Sequence, residues 1–377
     1  MPHNFVLITT KTGVVVDIID SAAAGDDIED FKGMLCPGFI NAHCHLELSH
    51  LKDLIATGTG LVQFVQHVMS NRFLLNEANT TAMKTAEQEM YSNGIVAVGD
   101  ICNTANSIPI KQESKLHWHN FIEVSGFVDA GAGQRLQDIK KIQQDFYDNN
   151  LQLTTISPHA PYSVSKTLFN YLNNETAHQL ITIHNQECVA ENGLYQNKTS
   201  DFLELYKNFG IDISSFEPTG KTSLQSWLPY FNKSQSIISV HNTFISQADI
   251  DFFKNLTASN SSMAFCLCVN ANKYIEQTLP PIQLLRKNNC TIIIGTDSYA
   301  SNWQLNILEE IKTIQTATEN CIPLTEVLQW ATLNGAMALK MDNTLGSFEK
   351  DKKPGVVLIE GLNDLAITQH STAKRIL

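Results

Sequence analysis

Short apolar runs alternate with amphipathic segments along most of this chain, from residue 34 onward. Each run ends in polar residues, which is typical of buried β-strands, and the segments between the runs space their apolar residues as helices do. The predicted strands are residues 34–40, 94–99, 116–124, 153–157, 180–184, 236–241, 262–269 and 290–295. Helical spacing is clearest in residues 80–92, 134–147, 165–173, 247–256 and 303–317.

Eight strand-then-helix units in one chain predict an α/β fold, the (β/α)₈ TIM-type barrel. In that barrel the catalytic groups lie at the carboxyl ends of the strands. A doubly wound open sheet is the alternative, but its Gly-x-Gly-x-x-Gly sequence is absent after the first strand.

Both ends of the sequence are also β-like. Residues 5–19 alternate around a turn at residues 11–13, and residues 355–360 and 365–368 form two further runs. We therefore expect a small β-sandwich built from residues 1–36 and 341–377, around a barrel of residues 37–340. The segment 191–233 is longer than one helix requires and is rich in aromatic residues, which either cover substrate or form the core of an extra helix pair.

Composition and net charge limit the kinds of binding partner that we expect. The chain has 377 residues, 43% of them hydrophobic, and a formal net charge of −12, with no basic cluster. Nucleic acid and anionic membranes are therefore unexpected partners. No apolar stretch reaches the length of a membrane span, no export signal is recognisable, and the eight cysteines are scattered as free thiols would be. We expect a cytoplasmic protein with a small-molecule ligand, and a homodimer is compatible with these features.

Histidines at strand ends suggest a metal site. His43 and His45 close the first predicted strand, and side chains two residues apart in a strand share one face. His184 ends the fifth strand and Asp297 follows the eighth. A single histidine at a strand end is more often structural, but this set of imidazoles and a carboxylate is one that catalytic Zn²⁺ accepts.

Two further residues lie beside these predicted ligands. Glu187 follows His184 by three residues and could relay a proton near the metal, although a glutamate there could equally interact with the amides of a helix N-terminus. His241 ends the sixth strand and could be a fifth ligand or a hydrogen-bond donor.

Four ordered motifs then resemble one family. They are PGFINAHCH at residues 37–45, SPHAPYSVS at 157–165, HNQE at 184–187 and GTDSYASN at 295–302. The chain resembles the amidohydrolase superfamily, in the branch that includes chlorotriazine hydrolases, guanine deaminase, S-adenosylhomocysteine deaminase and aminodeoxyfutalosine deaminase. The similarity spans nearly the whole chain.

This resemblance implies one divalent metal ion per chain, Zn²⁺ first and Fe²⁺ as the alternative. His43, His45, His184 and Asp297 would bind it, and Asp297 would also accept a proton from water. Glu187 would protonate a ring nitrogen and His241 would hold the attacking oxygen. The lysine that bridges two metals in some members is absent after the fourth strand, where residues 157–159 read Ser-Pro-His.

Substrate contacts are also implied. His159 resembles the residue that contacts the heterocycle in nucleoside-type deaminases, and Glu47, His50 and Ser298 lie near the metal motifs, with Glu47 expected to bind ribose hydroxyls. The chain departs from the branch after the seventh strand, where residues 266–272 replace the usual Cys-Pro-x-Ser-Asn. It also has a shorter segment before His43.

The sequence thus predicts a metal-dependent hydrolytic deaminase of an amino-substituted nitrogen heterocycle, first of all a 6-aminopurine nucleoside. One alternative is hydrolysis of another C–N or a C–Cl bond on a triazine, pyrimidine or guanine-like ring. Another is a metal-dependent binding protein without turnover, although binding alone would not require Glu187 as a proton relay.

Overall fold

The computed structural model describes residues 5–72, 77–257, 262–364 and 366–377. Its strands, in chain order, are β1 Phe5–Thr9, β2 Val15–Asp20, β3 Met34–Pro37, β4 Phe39–Cys44, β5 Ile95–Cys102, β6 His117–Val124, β7 Thr154–Pro158, β8 Leu180–Asn185, β9 Ser236–His241, β10 Ser262–Leu267, β11 Thr291–Ile294, β12 Val356–Glu360 and β13 Thr372–Arg375.

Helices follow the barrel strands and lie outside them. They are α1 Leu61–Asn71, α2 Glu77–Ser92, α3 Ile108–Glu113, α4 Ala132–Asp148, α5 Lys166–Glu175, α6 Val189–Asn197, α7 Phe202–Asn208, α8 Ser223–Trp227, α9 Gln247–Thr257, α10 Val269–Ile275, α11 Ile282–Lys287, α12 Ile307–Ala317, α13 Leu324–Gln329 and α14 Gly335–Ala338. The predicted helix at 303–317 begins later than expected, at Ile307, because the Asn306 side chain caps it by accepting from the Leu308 amide.

Eight parallel strands form the barrel, in two hydrogen-bonded groups of four, β4-β5-β6-β7 and β8-β9-β10-β11. Hydrogen bonds cross both gaps between the groups. At one gap the His184 amide donates to the His159 carbonyl oxygen over 2.9 Å. At the other, Asn41 Nδ2 donates to Thr296 Oγ1 (2.8 Å) and the Thr296 amide donates to Asn41 Oδ1 (3.0 Å). The predicted barrel is confirmed.

The first predicted strand, 34–40, is wrong as a single barrel strand, because it divides at Gly38. Its first half, β3, pairs antiparallel with β12, and its second half, β4, pairs parallel with β5. A Cβ at Gly38 would lie 2.2 Å from Val96 Cγ1 and 2.6 Å from the Pro354 carbonyl oxygen. Only glycine therefore fits where the chain passes from one sheet to the other.

Outside the barrel, the two ends of the sequence supply strands as expected. β1 and β2 form an antiparallel hairpin, and β3, β12 and β13 form a three-stranded sheet. The predicted strand at 365–368 is wrong for residues 366–368, and Leu365 lies outside the described residues. Asn363 and Ala366 bond to each other in a tight turn, and the strand comes later, at Thr372–Arg375. The domain boundaries at 36/37 and 340/341 stay a prediction.

Apolar side chains fill the barrel below its carboxyl end. Ile40, Phe121, Val240 and Ile293 belong to one buried cluster inside the strands, while the larger cluster lies between strands and helices. The packed interior leaves the carboxyl ends of the strands as the open end. Among the described residues no helix is long and apolar enough to cross a membrane.

Candidate metal centre and cavity

His43 and His45 lie at the end of β4, in an irregular stretch of that strand. The register of β4 against β5 shifts between Asn41 and Cys44, and such irregularities re-aim side chains near sites. Both rings are buried, and their Nε2 atoms lie 3.2 Å apart. Burial lowers the pKa of His45 to about 4, so the ring is neutral and can act as a ligand.

His184 ends β8 with its ring orientation fixed by the backbone. Its Nδ1 lies 2.8 Å from the His159 carbonyl oxygen, to which it donates. The lone pair is therefore on Nε2, which lies 3.2 Å from His45 Nε2. A histidine held in this way by a second hydrogen bond is the usual arrangement of a metal ligand.

Asp297 follows β11 and completes the group. Its backbone has φ +59°, a left-handed conformation uncommon for a residue other than glycine. Ser301 Oγ donates to Asp297 Oδ2 over 2.5 Å, so Oδ1 is the oxygen that faces the histidines. Burial alone would raise the pKa of Asp297, but the imidazoles of His43, His45 and His241 hold it well below its usual range.

The spacing of these four side chains fits a tetrahedral metal ion. Asp297 Oδ1 lies 3.2 Å from His45 Nε2 and 3.5 Å from His43 Nε2, and the four ligand atoms all lie within 4.8 Å of one another. Ligands at 2.0–2.1 Å from a tetrahedral zinc ion are about 3.3 Å apart. The predicted residues therefore come together as one buried metal-binding group.

Glu187 and His241 lie next to this group. His241 Nε2 is 3.6 Å from Glu187 Oε2, and both side chains are buried. Burial, with Asp297 close by, raises the pKa of Glu187 well above its usual range, which favours a protonated carboxyl able to donate. The structure thus places a buried carboxyl group beside the predicted metal ligands.

The segment after the seventh barrel strand, residues 266–272, contains a side chain that hydrogen-bonds to His241. Asn272, on α10, has its side-chain nitrogen 3.3 Å from His241 Nδ1, an arrangement in which Nδ1 accepts and Nε2 carries the ring proton. The same nitrogen donates to Thr243 Oγ1 over 2.7 Å. Asn272 therefore orients a histidine of the site, a role that its position in the sequence does not indicate.

One cavity opens from the metal-binding group. His45, His184, Glu187, His241 and Asp297 line its inner end. Its outer walls are mostly apolar and come from α1, α7 and the residues after β6; they include Leu61, Phe64, Val68, Phe127, Tyr206 and Ile211. Such a cavity suits a largely apolar ligand held by a few polar contacts at one end.

The aromatic segment 191–233 packs as additional helices and also contributes to the cavity wall, while its predicted role in covering substrate stays a prediction. Tyr195, Phe202 and Tyr206 belong to one buried apolar cluster, and of these three Tyr206 also lines the cavity. Trp227 belongs to the main core, where its indole nitrogen donates to Asn185 Oδ1 over 2.7 Å. The segment therefore both forms a wall and packs as additional helices.

Two of the four predicted substrate contacts reach the cavity and two do not. His159 and Ser298 line it, and His159 Nδ1 lies 2.6 Å from Ser163 Oγ. Glu47 and His50 are not among its lining residues. The chain turns into a 3₁₀ helix at Leu46–Leu51 directly after the histidines, and this turn directs both side chains elsewhere.

Glu47 instead bonds the loop after β5. Its carboxylate accepts from the amides of Asn103 and Thr104 and from Thr104 Oγ1, at 2.9–3.2 Å. The expected contact between Glu47 and ribose is therefore wrong for this structure, because the backbone of the loop occupies the carboxylate.

Sequence reasoning missed Glu123, Arg72 and Asn103, which also line the cavity. Asn103 Nδ2 donates to Glu123 Oε2 over 2.8 Å, and Arg72 Nη2 donates to Asn103 Oδ1 over 2.5 Å. Glu123 lies at the end of β6, so the strand-end rule that found the metal ligands could have found it as well.

Comparisons with known proteins agree with this geometry. The model of the Amidohydrolase family matches residues 34–375. An adenosine deaminase of Helicobacter pylori is 25% identical over 334 residues, which is 85% of this chain and 78% of that protein.

Among solved structures, the aminofutalosine deaminase of Helicobacter pylori, in complex with methylthio-coformycin, matches with a TM-score of 0.81 and 21% identity, over 99% of this chain and 95% of that one. An adenosine deaminase of Xanthomonas campestris with bound zinc matches with a TM-score of 0.66 and 20% identity, over 94% and 80%. At these identities the structural matches show the shared fold.

Proposed function

Because this chain belongs to the amidohydrolase family, we propose that it is a metal-dependent hydrolytic deaminase of 6-aminopurine nucleoside-like compounds, releasing ammonia. The observation that carries the proposal is the joint placement, at the inner end of one cavity, of four ligand atoms within 4.8 Å and the buried pair Glu187 and His241. The names of the matched deaminases support the choice of substrate.

Zn²⁺ is the ion that we propose for this site, with Fe²⁺ as the alternative, at one ion per chain. Three imidazoles and one carboxylate suit zinc, and the spacing of the donor atoms fits its coordination sphere. A divalent ion held there would supply the Lewis acidity that makes water a nucleophile at neutral pH.

The protein side chains would then move the protons. Glu187 donates a proton to the ring nitrogen next to the carbon that carries the amino group, and His241 donates a hydrogen bond from Nε2 to the attacking oxygen. Asp297 takes a proton from the water and returns it to the departing nitrogen. The carbon–nitrogen bond breaks and ammonia leaves. The ring carbon keeps the oxygen of the water, and the remaining proton of that oxygen returns to Glu187.

The test is a substrate panel assayed for release of ammonia and of chloride. We expect adenosine, 5′-methylthioadenosine, S-adenosylhomocysteine and 6-amino-6-deoxyfutalosine to have higher kcat/KM than guanine, cytosine, melamine or a chlorotriazine. If a free base or a triazine has a kcat/KM at least tenfold higher than that of the nucleosides, that ring and not a nucleoside is the substrate. Absence of turnover on every compound, with metal loaded, would favour the binding-protein alternative.

We propose a cytoplasmic location, a small-molecule ligand and a homodimer for this protein. A cytoplasmic location and a small-molecule partner agree with the net charge of −12 and with the enclosed metal group. Fractionation and size-exclusion chromatography coupled to light scattering would test the location and the homodimer.

A further inference from the structure

Gln186 is a buried polar residue between the predicted metal ligand His184 and the proton relay Glu187. It directly precedes Glu187, and its side chain has no exposed surface. Its backbone has φ +45°, in the left-handed region that residues other than glycine enter only at a cost in free energy. Such a conformation persists where the surrounding structure holds it in place. The proposed reaction does not use Gln186, so the contacts that hold it indicate a role outside the chemical steps.

The main chain of Gln186 is hydrogen-bonded on both sides. Its amide donates to Glu191 Oε1, on α6, over 2.8 Å. Its carbonyl oxygen accepts from the amide of Phe244, in the loop after β9, over 3.0 Å. Glu191 is itself fully buried and accepts from Ser223 Oγ over 2.5 Å. Two separate segments therefore hold the left-handed turn.

The side chain of Gln186 is bound as well, mainly by a buried carboxylate. Its Nε2 donates to Asp249 Oδ2, on α9, over 3.1 Å and to Asn192 Oδ1 over 3.2 Å. Asp249 is fully buried. Four other donors reach the same carboxylate, namely Thr222 Oγ1, Gln225 Nε2 and the amide and hydroxyl of Ser246. Asp249 is thereby fixed on α9, and it fixes the amide of Gln186 in turn.

This turn decides where Glu187 points. At Gln186 the chain directs one side chain to Asp249 and the next, Glu187, toward His241, whose Nε2 lies 3.6 Å from Glu187 Oε2. A general acid acts only within hydrogen-bond reach of the group that it protonates. A misplacement of about 1 Å can lower a rate by about 100-fold. Without its side-chain contacts the turn at Gln186 is free to relax, and the carboxyl of Glu187 moves with it.

This inference rests on the proposed function. We propose that Gln186 is a positioning residue for the deamination, and that its hydrogen bond to Asp249 holds the turn that aims the carboxyl of Glu187 at the substrate ring. The rival explanation is that Gln186 and Asp249 only attach α9 to the barrel. Loss of the hydrogen bond would then lower stability and leave turnover intact.

The first test measures kcat and KM of Gln186→Ala with adenosine, or with the best compound of the nucleoside panel. We expect kcat to fall by about 10- to 100-fold, because the proton donor is misplaced. KM should stay within about threefold of the wild type, and the zinc content should not change, because the cavity walls and the ligands are untouched.

Gln225→Ala is the matched control. It also removes one amide donor from Asp249, but Gln225 lies on α8 and adjoins no residue of the site. We expect a similar loss of melting temperature in both variants and a wild-type kcat in Gln225→Ala alone. Equal kcat values in the two variants would refute the positioning role. Should Gln186→Ala fail to fold, Gln186→Gly removes the same contacts in a residue that tolerates positive φ, and it should show the same loss of kcat.

A double variant separates positioning from a general loss of order. If Gln186 acts through Glu187, Gln186→Ala should change the single-turnover rate of Glu187→Gln by no more than about twofold. A loss as large as in the wild-type background would show that Gln186 acts independently of Glu187. The positioning role would then be refuted, and the proposed function would stand.

A structural measurement keeps the two proposals distinguishable. If no nucleoside reacts with the zinc-loaded wild type, the proposed function fails, and crystal structures of the wild type and Gln186→Ala decide the positioning role. We expect Glu187 Oε2 close to 3.6 Å from His241 Nε2 in the wild type. In the variant we expect it to be displaced by about 1 Å or more, the scale on which misplacement affects rates. An unmoved Glu187 carboxyl would refute the positioning role.

Discussion

His184 and His159 are joined by two hydrogen bonds, one from the His184 amide and one from its Nδ1, both to the carbonyl oxygen of His159. His184 lies at the end of β8, in one four-stranded group, whereas His159 follows β7, in the other. The two hydrogen bonds therefore attach a predicted metal ligand to a cavity residue across the gap between the groups. The orientation of the His184 ring is set by the backbone at the gap between the strand groups.

Metal content should follow the four ligands. We expect about one equivalent of zinc per wild-type chain, and loss of most of it, together with activity, in His43→Ala and Asp297→Ala. Elemental analysis after gel filtration measures the content. A value close to two equivalents in the active protein, or full activity of Asp297→Ala, would contradict the site.

Glu187→Gln should keep the metal and lose turnover by at least about 10²-fold, because glutamine preserves the shape but cannot relay a proton. Single-turnover kinetics and metal analysis on the same sample measure both. Glu217→Gln, an exposed position in the aromatic segment, is the control and should match the wild type. A Glu187 variant that loses its metal would show that this carboxylate is structural.

The ion pair of Lys111 and Asp100 should stabilise the end of β4, where His43 and His45 lie. Both side chains are fully buried and 2.5 Å apart, and Asp100 Oδ1 accepts from the Leu46 amide, next to His45. Lys111→Met leaves a buried charge unpaired, which costs about 3–5 kcal/mol. We expect a lower urea midpoint and faster zinc release to a chelator.

The double variant Asp100→Asn with Lys111→Met removes both charges and should recover part of that loss. Equal stability of the single and double variants would show that the unpaired charge is not the cause.

Stability should fall in mild acid because of His119, which is buried away from the metal group. Burial lowers its pKa from 6.5 to about 4. Between these values the unfolded chain binds the proton and the folded chain does not, so stability is lost as pH falls from about 6.5 toward 4, by up to about 3 kcal/mol.

Urea unfolding at pH 7 and pH 5 measures this effect. His119→Gln should weaken the dependence on pH, whereas the exposed His370→Gln should leave it unchanged. If the free energy of unfolding falls equally between pH 7 and pH 5 in the wild type and in His119→Gln, other groups cause the acid sensitivity.

Sequence alone was sufficient for the barrel and for the residues that the metal group brings together. Periodicity located the strands, and one rule, that parallel strands end at the same face, then placed His43, His184 and Asp297 at one end. The same rule also applies to Glu123, but a lone glutamate two positions before a loop resembles an ordinary polar strand end. Its hydrogen bond with Asn103 and its place in the cavity wall are visible only in the three-dimensional structure.

A residue close in sequence to a metal ligand does not always face the cavity, because the backbone sets the direction of its side chain. Glu47 is two residues from a metal ligand, yet the 3₁₀ turn after β4 directs it to the amides of Asn103 and Thr104. The division of the first strand at Gly38 was equally hidden, because β3 and β4 are both apolar and only their partners differ.

Because β3 and β4 meet at Gly38 but pair with different strands, a growing chain completes their pairing at different times. Residues 34–37 pair with residues 356–359, so β3 leaves the ribosome more than 300 residues before its partner does. Among the described strands β3 pairs only with β12, so until then β4 and the histidines at its end depend on the pairing with β5. A fragment ending before Val356 would keep every proposed metal ligand and the β5 neighbour of β4, but it would lack the partner of β3.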